Sequence, residues 1–290
     1  MSQHPNRSNC LNHSNSFKVE NLHTEPDADV LCSINETGVA TITLNRVNKH
    51  NAFDATIIRT LLEDLSQLKA HPTLRALILK ANGKHFSAGA DLQWMKSMAD
   101  KPLDVNQADA LQLAELLHEL DNFPAPSIVY VQGSAFGGAL GLICCCDIAI
   151  ADKTAQFCLS EVKLGLIPAT IGPYVCRTIG QRQARRYMLT AERFNVETAH
   201  QLNVIHEITS TQKEASELVT TLTSHILGNS PNAMVQVKKL CQLCDSHSID
   251  EELINTTSEL IAEIRISPEG QEGLKAFFAK RPPAWSIDNE

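Results

Sequence analysis

Gly137 and Gly138, side by side, and the solitary carboxylate Glu161 are the residues whose types and spacing could do chemistry. The glycine pair follows an apolar, strand-like run from Ser127 to Val131 and a turn at Gln132 and Gly133, and a second apolar run begins at it. Without side chains, backbone at such a place can face a ligand directly. If Gly138 opens a helix, its N–H lacks an intrahelical partner and lies at the positive end of the helix dipole, which suits an oxygen gaining negative charge. Glu161 is the only carboxylate between residues 153 and 190. One acid beside open amides points to proton transfer next to a polarised carbonyl.

A second small-residue turn, Ser87, Ala88, Gly89 and Ala90, precedes a helix or mobile loop starting at Asp91 and leaves backbone uncovered beside a ligand-sized space. Other chemistries find little support. Cys241 and Cys244 form a CxxC without a second pair in helical surroundings, so no metal site is expected. Ser134 lacks the GxSxG setting of an activated nucleophile. Neither a GxGxxG fingerprint nor a phosphate-binding P-loop occurs.

The elements that must hold these residues alternate between strand and helix. Val30 to Ile34 and Val39 to Leu44 read as a hairpin around Glu36-Thr37-Gly38. The turn NRVNKHNAFD follows, with Asn51 or Asp54 able to cap a helix over 55–70 whose apolar face is Ile57, Ile58, Leu61, Leu62, Leu65 and Leu68. A strand is expected over 75–80 and a helix over 105–122, ended by Pro124. Helices are expected over 171–179, 182–190 and 196–202, and a short strand over 204–208. Helical periodicity then continues over 213–228, 231–244, 249–264 and 268–279. The order is that of an α/β protein with repeated crossovers, becoming helical toward its end.

Composition narrows the setting. A chain of 290 residues, 43% hydrophobic, suits one large domain or one domain with a smaller appendage. No apolar run approaches the roughly 18 residues of a membrane span. The first 29 residues, rich in Asn, Ser and His, read as a disordered or loosely attached arm without a secretory core. Nine cysteines, an odd count with Cys144, Cys145 and Cys146 adjacent, do not resemble a disulfide framework. A cytoplasmic protein is expected, with those three thiols packed as small apolar side chains. The net charge of −8 disfavours nucleic acid as a general partner.

LNRVNKHNAF, GKHFSAGADL, VQGSAFGGALGLICCCDIAIA and FCLSEVKLGLIP occur in that order. Together they resemble the crotonase family of enoyl-CoA hydratases and isomerases, over about residues 30 to 285. Within it, SAFGGALGLICCCDIAIA and LSEVKLGLIPATIGPYV are most similar to bacterial 3-methylglutaconyl-CoA hydratases of leucine breakdown. The resemblance implies a crotonase-like spiral of ββα units over 30–210, a C-terminal helical trimerisation section over 211–290, and a homotrimer or homohexamer.

It further implies an acyl-CoA thioester as substrate, no cofactor beyond the coenzyme A that the substrate carries, and water added to an α,β-unsaturated acyl-CoA. The N–H groups of Ala90 and Gly138 match the family's holders of the thioester oxygen, and Glu161 matches its acid–base glutamate. Burial among Leu159, Val162 and Leu166 should raise the Glu161 pKa. Ala88, through its carbonyl, and Leu92 are carried over as bordering the adenine; Lys49, His50 and Lys96 are cations available to the phosphates of coenzyme A, and Gly137 and Gly141 are expected to meet substrate along the glycine turn. Lys280 and Arg281 would reach a neighbouring subunit's coenzyme A.

Gly141 is the departure, because typical hydratases carry a second glutamate at the matching position. That leaves room for double-bond isomerisation by Glu161 alone. A further alternative is a CoA-binding or RNA-associated protein without catalysis.

Overall fold

The computed structural model describes residues 19–286, with 24 and 26 excepted. The chain begins with β1 (Val19–His23), β2 (Val30–Asn35) and β3 (Val39–Leu44), then α1 (Ala55–Ala70), β4 (Ala76–Ala81), α2 (Leu92–Ala99) and α3 (Leu103–Asp121). It continues through β5 (Ser127–Val131), β6 (Ser134–Phe136), α4 (Gly138–Cys145), β7 (Ile148–Asp152) and β8 (Gln156–Cys158). Next come α5 (Gly172–Thr190), β9 (Phe194–Asn195), α6 (Val196–Gln201) and β10 (Glu207–Thr209). The last four helices are α7 (Gln212–Leu227), α8 (Pro231–Ser246), α9 (Glu251–Ile266) and α10 (Pro268–Ala279).

Seven strands form the main sheet in the order β1-β2-β3-β4-β5-β7-β10. The first three pair antiparallel, and β3 through β10 pair parallel. Parallel strands need both faces covered, which explains the near-continuous apolar runs of β4 and β5. One face packs against α1, α3 and α4, with Leu61, Leu65, Leu117, Leu120 and Leu142 in the core. The other receives Ile226 and Leu227 of α7 against Val39, Ala76, Ile128 and Ile150. Asp54 starts α1, its carboxylate accepting from Thr56 N–H and Ile57 N–H at 3.0 Å each.

Beside the main sheet lies a second layer in which β6 pairs parallel with β8, and β8 antiparallel with β9. Two isolated parallel bridges, Phe53 with Ala90 and Ser87 with Ala135, extend it. Each strand of the main sheet from β3 to β7 is therefore followed by a short piece of this layer and then by a helical segment or turn. That is the expected α/β repeat of two extended pieces and a helix, and its second layer carries both small-residue turns.

Several sequence expectations need correction. Residues 19–23 of the expected N-terminal arm form β1 on the edge of the sheet, while residues 1–18 lie outside the described residues. The strand expected over 204–208 is shifted to β10. Val204 and Ile205 are apolar because they are buried, at 2% and 1% exposure, with the Val204 N–H bound to the Ala199 carbonyl rather than to a strand. The pieces β6, β8 and β9 are two or three residues long, too short to show periodicity. The two helices expected over 171–190 flank Gly180, whose φ of 75° and ψ of 149° interrupt α5.

Candidate active site

Phe53 organises the first turn. Its N–H donates to the Gly89 carbonyl at 2.8 Å and its carbonyl accepts from Asp91 N–H at 2.7 Å. The N–H of Ala90, between those two contacts, has no hydrogen-bond partner among the described residues, and Ala90 is exposed. Gly89 is at φ 96°, and a Cβ there would lie 3.2 Å from the Phe136 carbonyl oxygen. The second turn therefore sits directly against the first.

In that second turn Gly137 adopts φ 55° and ψ −123°, a conformation that disfavours a side chain, and donates its N–H to the Cys158 carbonyl at 2.9 Å. Gly138 begins α4, and its N–H is likewise without a partner among the described residues. The site of a Gly138 Cβ lies 3.7 Å from Phe53 Cδ2, so the residue whose backbone is bridged to Ala90 places its ring beside the second turn. Two ladder bonds, Ser87 N–H to the Ser134 carbonyl at 3.0 Å and Phe136 N–H to the Ser87 carbonyl at 3.1 Å, hold the turns together.

Glu161 opens a 3-10 turn (Glu161–Leu164) closed by Gly165 at φ 74°. Its Oε1 is 3.2 Å from the place a Gly137 Cβ would occupy, so the carboxylate lies over Gly137. Its Oε2 is buried without a hydrogen-bond partner among the described residues. Burial pushes this carboxyl above the ordinary glutamate value of 4.5, the opposing pull of its own backbone N–H being smaller. Leu159 is buried and Val162 half-buried as expected, but Leu166 is 51% exposed. The chain reverses at Gly165, which leaves Leu164, Leu166 and Ile167 on the surface.

Gly141 does not line this space. It is buried where α3, α4 and the start of α5 meet, and a Cβ on it would stand 2.5 Å from Ile171 Cγ2 and 3.0 Å from Leu117 Cδ2. The expectation of a ligand contact at Gly141 is therefore corrected: the residue is small because helices close over it. No side chain fits there unless Ile171 moves.

Among the expected cations, Lys49 is engaged, its Nζ donating to Asp91 Oδ2 at 2.8 Å. That bond, with those from the Trp94 and Gln93 amides, holds the Asp91 carboxyl down at about 2. Arg46 pairs with Asp54 at 2.6 Å and approaches Asp91 at 3.7 Å. His50, exposed and left-handed at φ 51°, accepts from Ala88 N–H at 3.0 Å and lies edge-on to the His85 ring. Ala88, Leu92 and Lys96 are exposed on the loop and on α2, Leu92 at 78%. At the far C-terminus Lys280 is exposed, whereas Arg281 is bound by both carboxylate oxygens of Glu272.

Sequence reasoning missed Phe53, Asp91 and Asn51 as members of the site. Asn51 is 1% exposed at φ 54°, and its amide donates to the Asn82 and His85 carbonyls at 2.9 Å each. The available signal was the placement of Asp91 directly before a helix, where an aspartate caps.

A cavity of about 1120 Å³ lies at the opposite end of α4, against Cys144, Cys145, Cys146, Arg177 and Lys238. None of the residues of the two turns lines it. Burial raises the thiol pKa at all three cysteines, first to about 11 at Cys144, as for inert core side chains. Among the described residues no group of three or more His, Cys, Asp or Glu is placed to hold a metal ion. No helix among them is long and apolar enough to cross a membrane.

Two unpartnered amides and one half-buried carboxylate on neighbouring turns can hold an oxygen that gains charge and move a proton beside it. Comparison with known proteins points the same way. The family model described as enoyl-CoA hydratase/isomerase matches residues 34–288. A crystal structure of an enoyl-CoA hydratase from Shewanella pealeana is 52% identical, with a TM-score of 0.85 over 89% of this chain and 96% of that one. Pseudomonas aeruginosa AtuE is 32% identical, with a TM-score of 0.85 over 90% of this chain and 100% of that one. A trans-2-decenoyl-[acyl-carrier-protein] isomerase of Streptococcus mutans is 26% identical over 87% of this chain and 95% of that protein.

Proposed function

Because the chain belongs to the enoyl-CoA hydratase/isomerase family, we propose that it adds water to the double bond of an α,β-unsaturated acyl-CoA, with Glu161 as acid and base. The substrate we favour is 3-methylglutaconyl-CoA or a related branched enoyl-CoA, on the likeness of the segments 134–151 and 159–175 to such hydratases. The thioester oxygen sits between the N–H groups of Ala90 and Gly138. Both bonds strengthen as the carbonyl becomes an enolate, and a single donor of this kind is worth about 3 kcal/mol of barrier.

Glu161 takes a proton from water as its oxygen bonds to Cβ. The electron pair of the double bond moves onto the thioester oxygen, and the resulting enolate is protonated at Cα. With Gly141 closed over by Ile171 and Leu117, no second carboxylate can enter from that position. The proton that Glu161 removes from water is then the one available for return to Cα. The reaction is one carbon–oxygen bond formation with two proton transfers, and it uses no redox group.

The observation that carries this reading is the buried, unpartnered Oε2 of a carboxylate lying over Gly137. Glu161→Gln tests it: turnover falls about a thousandfold while acyl-CoA binding is unchanged. Retained turnover in that variant defeats the role.

The same packing around Gly141 also favours a second reading, in which Glu161 alone shifts a double bond by carrying one proton between two carbons. Product formed in ¹⁸O-labelled water separates them, since hydration places the label in the product and isomerisation does not. We further propose that copies associate as a trimer or hexamer through α9 and α10, which expose Ile254, Ile261, Ile266, Phe277 and Phe278. Sedimentation equilibrium reports the number of subunits directly, and a monomer refutes the assembly.

A further inference from the structure

We propose that Lys49 and Asp91 form a positioning pair that aims the Ala90 N–H, so that Lys49 is a brace for the oxygen-binding turn and not a ligand for substrate phosphate. The inference rests on the role given above to Ala90.

An amide next to glycine needs something to fix its direction. Gly89, at φ 96°, places little restraint of its own on the Gly89–Ala90 peptide. The restraint comes from the residues on either side. Ala88 is tied at its N–H to the His50 carbonyl at 3.0 Å. Asp91 is tied through Oδ2 to Lys49 Nζ at 2.8 Å, one residue earlier in the same turn. Residues 49 and 50 thus grip the four-residue segment 88–91 at both ends, and Ala90 lies inside the grip.

Asp91 is suited to this work by its surroundings. It is 6% exposed, so its carboxylate is little exposed to solvent, while the Lys49 side chain remains 38% exposed. Its Oδ1 accepts from Gln93 N–H at 2.8 Å and Trp94 N–H at 3.1 Å, which fastens the start of α2 to the same carboxylate. Its own N–H is bound to Phe53. Arg46, 3.7 Å from Oδ2, adds a second positive charge from the preceding turn and links the group to Asp54, the cap of α1. Bonds between ionised partners are shorter and stronger than neutral ones, so the carboxylate holds its direction while the glycine beside it does not.

Asp91→Asn retains an oxygen that can cap α2 but removes the charge that Lys49 and Arg46 face. Lys49→Met keeps the length of the side chain and removes its ammonium. Steady-state turnover is measured for both and for the double variant, together with the carbonyl stretching frequency of bound ¹³C-labelled butyryl-CoA, a saturated thioester that cannot react. Each single variant is expected to lower kcat about tenfold with KM within twofold, and to move the carbonyl frequency back toward that of the free thioester. The double variant is expected to be no worse than the poorer single one, since both changes break one contact.

A rise in KM at unchanged kcat for Lys49→Met would overturn the proposal and place the ammonium on the substrate. Independent, additive losses, or a lower melting temperature with kcat and frequency unchanged, would overturn it as well. If the wild-type protein binds butyryl-CoA with no shift of the carbonyl frequency, the role of Ala90 itself fails, and the brace with it. The wild-type spectrum therefore tells the two failures apart.

Discussion

The two ends of α4 treat polar groups in opposite ways. At its C-terminal end Asp147 Oδ2 accepts from Ser127 N–H and Ser127 Oγ–H at 2.8 Å each and from Lys238 Nζ at 2.7 Å, and Asp121 is held by both terminal nitrogens of Arg177. At its N-terminal end the Gly138 N–H and Glu161 Oε2 have no partner among the described residues. Leaving a buried group such as the Glu161 Oε2 unpaired opposes folding by roughly 1–3 kcal/mol. The fold thus satisfies polar groups at one end of an eight-residue helix and, among the described residues, leaves them unpaired at the other.

The contrast can be broken most severely at the open end. Glu161→Gln removes about three orders of magnitude of turnover. Because the carboxyl pKa is raised, the acid limb of kcat/KM in the wild-type protein lies above the ordinary glutamate value, as a pH–rate profile will show. Next comes Gly138→Pro, which deletes one N–H at the first residue of a helix, a position proline tolerates. It lowers kcat by about a hundredfold or more through loss of one donor, and the circular dichroism spectrum stays that of the wild type.

A smaller effect is expected where the middle of α4 is sealed. Gly141→Glu forces Ile171 aside and destabilises the protein by about 1–3 kcal/mol or more through overpacking, with no gain in hydration rate. Urea midpoints and product assays on the one variant measure both. At the satisfied end Asp147→Asn weakens a partly exposed ion pair, lowering stability by about 1 kcal/mol while leaving kcat unchanged.

The smallest change sharpens the comparison through pH. A carboxyl whose folded pKa lies above its unfolded value contributes its full stability below the unfolded value and loses it as pH rises through the folded one. Glu161→Gln should therefore gain in stability relative to the wild type between acid and neutral pH. Denaturant midpoints of the two proteins that run parallel from pH 4 to pH 8 would contradict the burial of this acid.

Much of the fold was legible because its signals are local. The apolar face of α1 and its Asp54 cap, the glycine pair at the start of α4 and the helical periodicity after residue 211 are each contained within a few turns of chain. The three short strands of the second layer were not legible, since two or three residues carry no pattern. Leu166 was misread for a related reason: it is apolar, and apolar residues also occur on surfaces. Gly141 was read as part of a ligand-facing turn because it follows one, and periodicity says nothing of which helix lies over it.

By itself the sequence determined that two stretches of small residues would expose backbone amides and that one carboxylate would stand apart from all others nearby. Both follow from side-chain size and from spacing along the chain. Only the tertiary structure decided that the Glu161 carboxylate lies over Gly137, that Lys49 is claimed by Asp91 across 42 positions, and that Ile171 and Leu117 close the space beside Gly141. Those contacts depend on how the strand layers stack. Stacking is settled by burial summed over the whole chain, which no short stretch of residues contains.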